Sequence, residues 1–474
     1  MRQRHFGIRL LTTTVAAVAA LAFAGTAAGE RYLVVYEGNG VPGSAGRAIE
    51  RAGGTLVFAY GAIGVAVAES SAPGFASELA RTRGVAAVAV DTVIAGENGE
   101  AAGPPEGDLP NAPAADADTF SATQWNMRKI QAPEAHAITG GSPAVVVGVI
   151  DTGIDFTHPD LAQNIDFLNS VSCLGAVPDQ SPAAWKDDHG HGTLNSGVIA
   201  AASNAIGIVG VAPNVKIAAI KSGNAANQFF AGAVICGLEW AASRQLDVGN
   251  MSFNVDGLVF SYCHTDAAQQ ALWKAVQRAV RHALNAGVTL VASAGNSNVD
   301  MAHPPFGNEC VRAPSEMAGV ITSTADALLD LKASYSNYGV GFADVVAPGG
   351  DFPQGGFASL VLSTWPSYIP GPSPPQQDPA GGVGATYRFT AGTSVAAAHT
   401  SGVAALVISR FGHATTPQNG KLRPGQVEAL IERTADPRPC PPAPTTCQGG
   451  EGYNSWYGHG RVNAFRAITH DPGK

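Results

Sequence analysis

The run AVVVGVIDTG at residues 144–153 is apolar and β-branched, without the alternation of a strand that is wet on one face. A strand of that kind is buried on both sides, as happens in parallel sheets covered by helices. The chain is therefore expected to build an α/β domain, and in such sheets the chemistry sits beyond the carboxyl ends of the strands. Asp151 stands at that end. Asp155 and Asp160 follow closely, so a carboxylate cluster holding a cation is a competing reading of the same stretch.

Two further stretches supply what a lone carboxylate lacks. In residues 387–406, YRFTAGTSVAAAHTSGVAAL, a glycine turn leads into an apolar, alanine-rich helix with Ser394 at its start. Unpaired N–H groups and partial positive charge at a helix N-terminus stabilise an oxyanion forming there. The plainer reading of Gly-Thr-Ser before a helix is an N-cap. In residues 187–202, DDHGHGTLNSGVIAAA, His191 opens a second helix between close glycines, where it can serve as general base. Zinc on His189 and His191 is the alternative, but no third ligand lies at a recognisable spacing. A serine hydroxyl is a weak nucleophile until a base takes its proton, and the base needs a carboxylate to fix its tautomer. Asp151, His191 and Ser394 provide these three groups, and Asp…His…Ser is one of the known chain orders for such a triad.

The segments before residue 121 read differently. Arg2, Arg4 and Arg9 precede an apolar run over 10–24 and the small residues of GTAAG, the pattern of a secretory signal peptide ending near Ala28. The run is short for a bilayer span, so no membrane attachment is expected after its removal. Residues 29–95 carry strand, helix, strand, strand, helix, strand in that order, a ferredoxin-like α+β pattern. Residues 96–120 are a Gly/Pro/Ala/acidic stretch without periodicity, expected to be an exposed linker open to proteolysis. Residues 121–474 form the large α/β domain. Secretion makes the six cysteines candidates for disulfides. Cys440 pairs most simply with Cys447 and Cys263 with Cys310, while Cys173 and Cys236 make a third bond or remain buried thiols. A net charge of −9 argues against nucleic acid as a partner.

The motifs VIDTGID, GHGT and GTSVAAAH, in that order, resemble those of the subtilisin-like serine peptidases, and the resemblance runs from about residue 125 to 467. NAIGIVGVAPNVKIAAIK, GLEWAASRQLDVGNMSF, VTLVASAGN, VVAPGG and YGHGRVNAFRA add to it. It implies a three-layer, doubly wound, mostly parallel sheet and a secreted, monomeric serine endopeptidase acting on polypeptides. Asn296 matches the family's oxyanion-hole asparagine. Ser252, Phe253 and Asn254, with Ala292, Ser293, Ala294 and Gly295, match the segments that pair with substrate backbone and wall the pocket for the residue before the cut. Residues 29–95 look like the family's inhibitory propeptide, so the enzyme is expected as a zymogen inhibited by its own amino-terminal unit. Asp160 and the loop 202–208 match a structural calcium site with Asn204 as a side-chain ligand; the family's amino-terminal ligand has no clear match, although Gln124 is nearby. Pro314 aligns with a cis-proline.

The chain departs from the family pattern in places. Leu194, Asn195 and Ser196 replace His-Val-Ala after the histidine motif, and Ala398, Thr400 and Ser401 replace Pro, Val and Ala around His399. Polar residues on helices behind a site need partners, and these are expected to find them among themselves. Phe253-Asn254 replaces Leu-Gly, and insertions at 255–266 and 366–384 bear on subsite preference. Rival readings are a narrow-specificity processing peptidase acting on a leader, an esterase, and a catalytically silent peptide-binding scaffold.

Overall fold

The computed structural model describes residues 29–96, 117–253, 262–305, 310–412, 422–442 and 445–470. The expected signal segment, most of the expected linker, Asn254 and part of the insertion at 255–266 lie outside the described residues.

A seven-stranded sheet forms the centre, with every neighbouring pair parallel. Its order is Val345–Pro348, Val320–Asp326, Thr289–Ser293, Val248–Met251, Val146–Asp151, Lys216–Lys221, Val171–Ser172. The apolar run 144–153 thus lies inside the sheet. Val147 and Val149 belong to the core on one face and Ile150 to the core on the other, the period of two that a strand imposes. Helices His191–Ala200 and Thr393–Phe411 cover the first face, and Ala231–Ser243 and Ala267–Asn285 the second, completing three layers. From Val146–Asp151 the chain first fills one side of the sheet and then, from Val248–Met251, the other. The reversal opens a crevice between the carboxyl ends of these two strands, where such sheets bind ligands.

Helix Thr393–Phe411 is buried on all sides from Thr393 to Ile408. Its alanines, glycine and serines let neighbouring chain approach closely; a Cβ on Gly402 would stand 2.5 Å from Cβ of Val211, in the segment before strand Lys216–Lys221. The antiparallel pair Val361–Thr364 and Thr386–Thr390 leads into this helix, and the insertion 366–384 is the long connection within that pair.

Residues 30–90 form a four-stranded antiparallel sheet ordered Gly54–Tyr60, Val65–Ser70, Glu30–Tyr36, Val85–Val90, with helices Ala45–Arg51 and Phe75–Leu79. This is the ferredoxin-like arrangement. Tyr32, Val34, Ile49, Phe75 and Leu79 form its own core. The opposite face, with Leu33, Val35, Val65 and Val67, joins the core of helices Ala231–Ser243 and Ala267–Asn285. Arg278 donates to the carbonyls of Tyr36 (3.0 Å) and Ile63 (3.1 Å), and Tyr60 Oη donates to Ala176 O at 2.6 Å. Asp91 accepts the N–H of Gly232 at 2.8 Å, capping an otherwise unpaired donor at the start of its helix. The chain then continues as Val93–Gly96, pairing antiparallel with Gln228–Phe230 on the large domain.

All three cysteine pairs are bonded: Cys173–Cys236, Cys263–Cys310 and Cys440–Cys447. The first resolves the alternative left open by the sequence. The Ala313–Pro314 peptide is cis. No helix of the described residues is long and apolar enough to cross a membrane.

Candidate active site

Asp151 ends its strand fully buried. Its carbonyl accepts the N–H groups of Ser222 (2.8 Å) and Gly223 (3.0 Å), which fixes the backbone beneath the carboxylate. Oδ1 accepts the Thr152 N–H at 2.7 Å and lies 2.8 Å from His191 Nδ1. A carboxylate can only accept, so the His191 proton sits on Nδ1 and the Nε2 lone pair is left as a base.

His191 is held by the turn before it. Asp187 accepts N–H groups from His189 (3.0 Å), Gly190 (2.8 Å) and Thr193 (3.0 Å), and hydroxyls from Thr152 (2.9 Å) and Thr193 (2.5 Å). Thr152 Oγ1 in turn accepts the Gly192 N–H at 2.9 Å, tying the turn to the Asp151 strand. Burial pushes the Asp187 carboxyl up, and the hydrogen bonds oppose that shift. Sequence reading passed over Asp187; a carboxylate two residues before His-Gly-His is the signal of such a turn. Gly190 has φ +107°, and a Cβ there would stand 2.3 Å from the Trp365 ring.

Ser394 is the second residue of its helix and 4% exposed. Its carbonyl accepts from Ser252 Oγ at 2.8 Å. Asn296 Oδ1 accepts both the N–H and the hydroxyl of Thr393, each at 2.9 Å, and the Thr393 hydroxyl accepts the Gly295 N–H at 3.0 Å. These bonds fix which end of the amide is oxygen, so Nδ2 is the end turned toward the space above Gly392. A Cβ on Gly392 would stand 2.9 Å from Ser394 Oγ and 3.7 Å from Asn296 Nδ2. The backbone at Gly392 therefore leaves one small space facing both a hydroxyl and an amide donor, the form an oxyanion pocket requires.

The side chains of Ser252, Phe253, Ala292, Ser293 and Ala294 are buried, so these segments can offer an extended peptide their backbone only. Ala292 lies in register beside Met251, which brings the two segments to neighbouring strand ends. Phe253 stacks on Phe229 with centroids 4.2 Å apart. A cavity of about 400 Å³ opens beside His191, with Asp188, His189, Leu194, Trp365 and Ile369 among its walls. The 366–384 insertion thus contributes to the cleft.

The expectation that the unusual polar helix residues pair with one another is corrected. Thr400 Oγ1 meets Ser323 Oγ at 2.9 Å, Ser401 donates to Asn250 Oδ1 at 2.9 Å, and Ser196 donates to Gly192 O at 2.7 Å. They lie on two helices that face different strands, so the sheet supplies most of the partners. His399 bonds Asn126 Nδ2 and Val395 O, each at 2.8 Å, and burial holds it down to about 4; it is a neutral core group.

Around the loop 202–208, Asp160 Oδ2 accepts the Ile208 N–H (3.1 Å) and the Tyr387 hydroxyl (3.0 Å), while its buried Oδ1 has no partner. Burial first, with further contributions from Asp118 and Asp378, pushes this carboxyl up to about 8. Asn204 Oδ1 accepts the Ile206 N–H at 3.0 Å, and the Gln124 amide is engaged at both ends by the backbone of Val209. An orphaned buried carboxylate oxygen among acids fits a hard cation. Among the described residues, His189 and His191 belong to no group of three or more side chains able to share an ion; Asp344, Glu428 and Glu432 form such a group. Asp344 immediately precedes strand Val345–Pro348, at the sheet edge opposite Asp151.

Residues 142–460 match the family model described as the subtilase family. M-protease of Shouchella clausii (strain KSM-K16) is 31% identical over 345 residues, covering 72% of this chain and 69% of its own length. Thermitase of Thermoactinomyces vulgaris is 30% identical over 356 residues, covering 74% and 98% respectively. Among solved structures, the epidermin leader peptide processing serine protease of Staphylococcus aureus superposes with a TM-score of 0.70 at 20% identity, over 93% of this chain and 98% of its own. Fervidolysin of Fervidobacterium pennivorans, a keratinolytic enzyme related to subtilisin, gives 0.69 at 22%, over 94% and 62%. These two likenesses are of fold.

The space above Gly392 yields a prediction. Gly392→Ala would place a methyl group between Ser394 Oγ and Asn296 Nδ2, and turnover of a peptide substrate should fall by roughly 10²–10³-fold, the scale of a lost oxyanion donor. Unchanged turnover would mean that no reacting atom occupies that space.

Proposed function

The chain belongs to the subtilase family and is a subtilisin-like serine protease, and on that premise we propose that it is a secreted endopeptidase, made as a zymogen, in which Asp151, His191 and Ser394 form the catalytic triad. The observation that carries this reading is the 2.8 Å contact between Asp151 Oδ1 and His191 Nδ1 at the crevice where the nucleophile helix begins. His191 Nε2 takes the Ser394 proton as Oγ attacks the scissile carbonyl carbon. The oxyanion is met by Asn296 Nδ2 and the Ser394 N–H. His191 then returns the proton to the leaving amine as the C–N bond breaks, and water, activated by the same imidazole, hydrolyses the acyl-enzyme. Asp151 orients the ring and stabilises the imidazolium. The segments 252–254 and 292–295 would hold the substrate by backbone pairing, as an added strand.

We assign residues 1–28 to a signal peptide, 29–95 to an inhibitory propeptide, 96–120 to a linker and 121–474 to the peptidase domain. Three disulfides suit an oxidising, extracellular setting. The inhibitory role is supported by the pairing of Val93–Gly96 with Gln228–Phe230, the strand that directly follows Asn227 in the wall of the cavity beside His191. We assign a structural calcium ion to Asp160, Asn204 and neighbouring carbonyls of the loop. It would supply the positive counter-charge that holds the buried Asp160 carboxylate ionised.

Three experiments test this reading. Treating the secreted chain with a fluorophosphonate, with intact mass and peptide mapping, should place the adduct on Ser394 of a chain lacking everything before about residue 121. A fully matured chain that stays unlabelled would remove the catalytic assignment. Chelation should lower the melting temperature, by an amount corresponding to about 2.7 kcal/mol where calcium had been at a hundredfold excess over its Kd; Asp160→Asn should abolish the response. A chelator-insensitive wild type would argue against the ion. Lastly, burial pushes the Asp91 carboxyl up to about 6, with Gly232 and Arg31 opposing. A group that holds its proton more tightly when docked favours docking below its free value, near 4, and loses that contribution as pH rises through 6. Inhibition by the cleaved but still associated unit should therefore relax as pH rises through about 6. Asp91→Asn should remove that step, and an unchanged step would assign it to another group.

A further inference from the structure

We infer that Asn195 is a positioning residue of the catalytic group, one that fixes the outer oxygen of Asp151 and sets the pH at which His191 becomes competent. The inference rests on the triad assignment above. Asn195 lies one helical turn after His191, on the same face of the helix, and is fully buried. Its Nδ2 is 3.0 Å from Asp151 Oδ2 and 3.3 and 3.5 Å from Nδ1 and Nε2 of His191. Its Oδ1 finds no donor among the described residues.

The amide can stand only one way round. Rotated by 180°, it would press its oxygen against a carboxylate, so the NH₂ end faces Asp151. A buried amide oxygen without a donor is costly, and an apolar side chain would fill the same helical position at no such cost. The polar residue is thus explained by what its NH₂ does. With Thr152 N–H and His191 on Oδ1 and Asn195 on Oδ2, the Asp151 carboxylate is held at both oxygens.

The same contacts act on the proton affinity of His191. A hydrogen bond donated to Asp151 draws off part of the charge that stabilises an imidazolium. The NH₂ group also presents partial positive charge beside both ring nitrogens, which disfavours a second positive charge on the ring. Both effects keep His191 neutral, and so able to act as base, down to lower pH. Among the described residues, the His189 ring lies 6.3 Å from that of His191, Asp188 shares the cavity wall beside them, and Lys221 of strand Lys216–Lys221 acts with Asp151 and Asp188 on His189. Lys221 is paired with Asp188 at 2.5 Å, and burial first, then the charge of His191, holds His189 down to about 4. On the nucleophile helix His399 is neutral in the core, and the charged Arg410 stands in the last turn, at the far end from Ser394.

The test is the pH profile of kcat/KM for the matured enzyme on one peptide substrate, with fluorophosphonate labelling of each variant. Asn195→Val is expected to keep its fold, lower kcat by about tenfold with KM nearly unchanged, and move the acidic limb to higher pH, because one charge-assisted hydrogen bond is lost. Asn195→Asp would set a second carboxylate against Asp151 and should move the limb further the same way. An Asn195→Val enzyme whose acidic limb coincides with that of the wild type, any rate loss following only its melting temperature, overturns the inference. If the wild type itself takes no label at Ser394, the triad assignment fails and the role of Asn195 with it. If it labels normally and the limb does not move, only the role of Asn195 falls.

Discussion

The structure depends on one packing decision: the helix that carries Ser394 runs through the core rather than over it. A helix buried on all sides cannot be amphipathic, and residues 393–408 show the result, with small side chains and with the hydroxyls of Thr393, Thr400 and Ser401 each bonded to a specific partner. Burial gives Ser394 a rigid seat and a helix N-terminus in a low-dielectric setting, where oriented dipoles act most strongly on developing charge. The cost is that polar groups on the helix need buried partners, most of them supplied from outside it. Thr393 meets this through Asn296 and Gly295, and in doing so fixes the orientation of the Asn296 amide. One constraint thus positions the serine and orients the donor that the proposed mechanism needs.

The parts of this arrangement legible in the sequence are those fixed by local chemistry. The β-branched run 144–153 requires burial on both faces, and the four-stranded unit at 30–90 announces itself through short strands and two helices in a recognisable order. Glycine at 190 marks a place where a Cβ has no room, and glycine at 392 one where a Cβ would fill the space facing Ser394 Oγ and Asn296 Nδ2. What was not legible depends on which distant residues face each other. Thr400 and Ser401 are neighbours in the chain, yet one bonds Ser323 and the other Asn250, on different strands. Nothing near Asp160 in sequence indicates that Tyr387 donates to its carboxylate. Asn195 reads as a departure from a family pattern until its amide is seen against Asp151.

Charge is divided between the two edges of the sheet. At the carboxyl edge, buried Asp151 and Asp187 are each held by several donors, so their charge is distributed over hydrogen bonds and serves to orient neighbours. At the opposite edge, Asp344, Glu428 and Glu432 crowd one another with few donors, and burial together with mutual repulsion pushes Asp344 and Glu432 up to about 7. The contrast is one of satisfaction rather than of residue type. Burial pushes the Asp187 carboxyl up as well, but there hydrogen bonds oppose the shift and hold the turn, whereas at Asp344 the neighbouring Glu428 and Glu432 add to it.

The edge strand Gln228–Phe230 links the two units in a way that bears on control. It pairs with Val93–Gly96 of the same chain, so any peptide using those backbone groups competes with a tethered strand at high effective concentration. Tethering alone makes the competition uneven, without tight contacts in the strand itself. The affinity resides instead in the broad apolar face that Leu33, Val35, Val65 and Val67 share with the two helices behind the cleft, reinforced by Arg278 and the Asp91 cap. Cutting the linker converts the competition from intramolecular to bimolecular, but the docked face remains. On the proposed reading, latency therefore outlasts the cut and ends only when that face separates, which makes the docking surface, and not the scissile bond, the determinant of when the cleft becomes available.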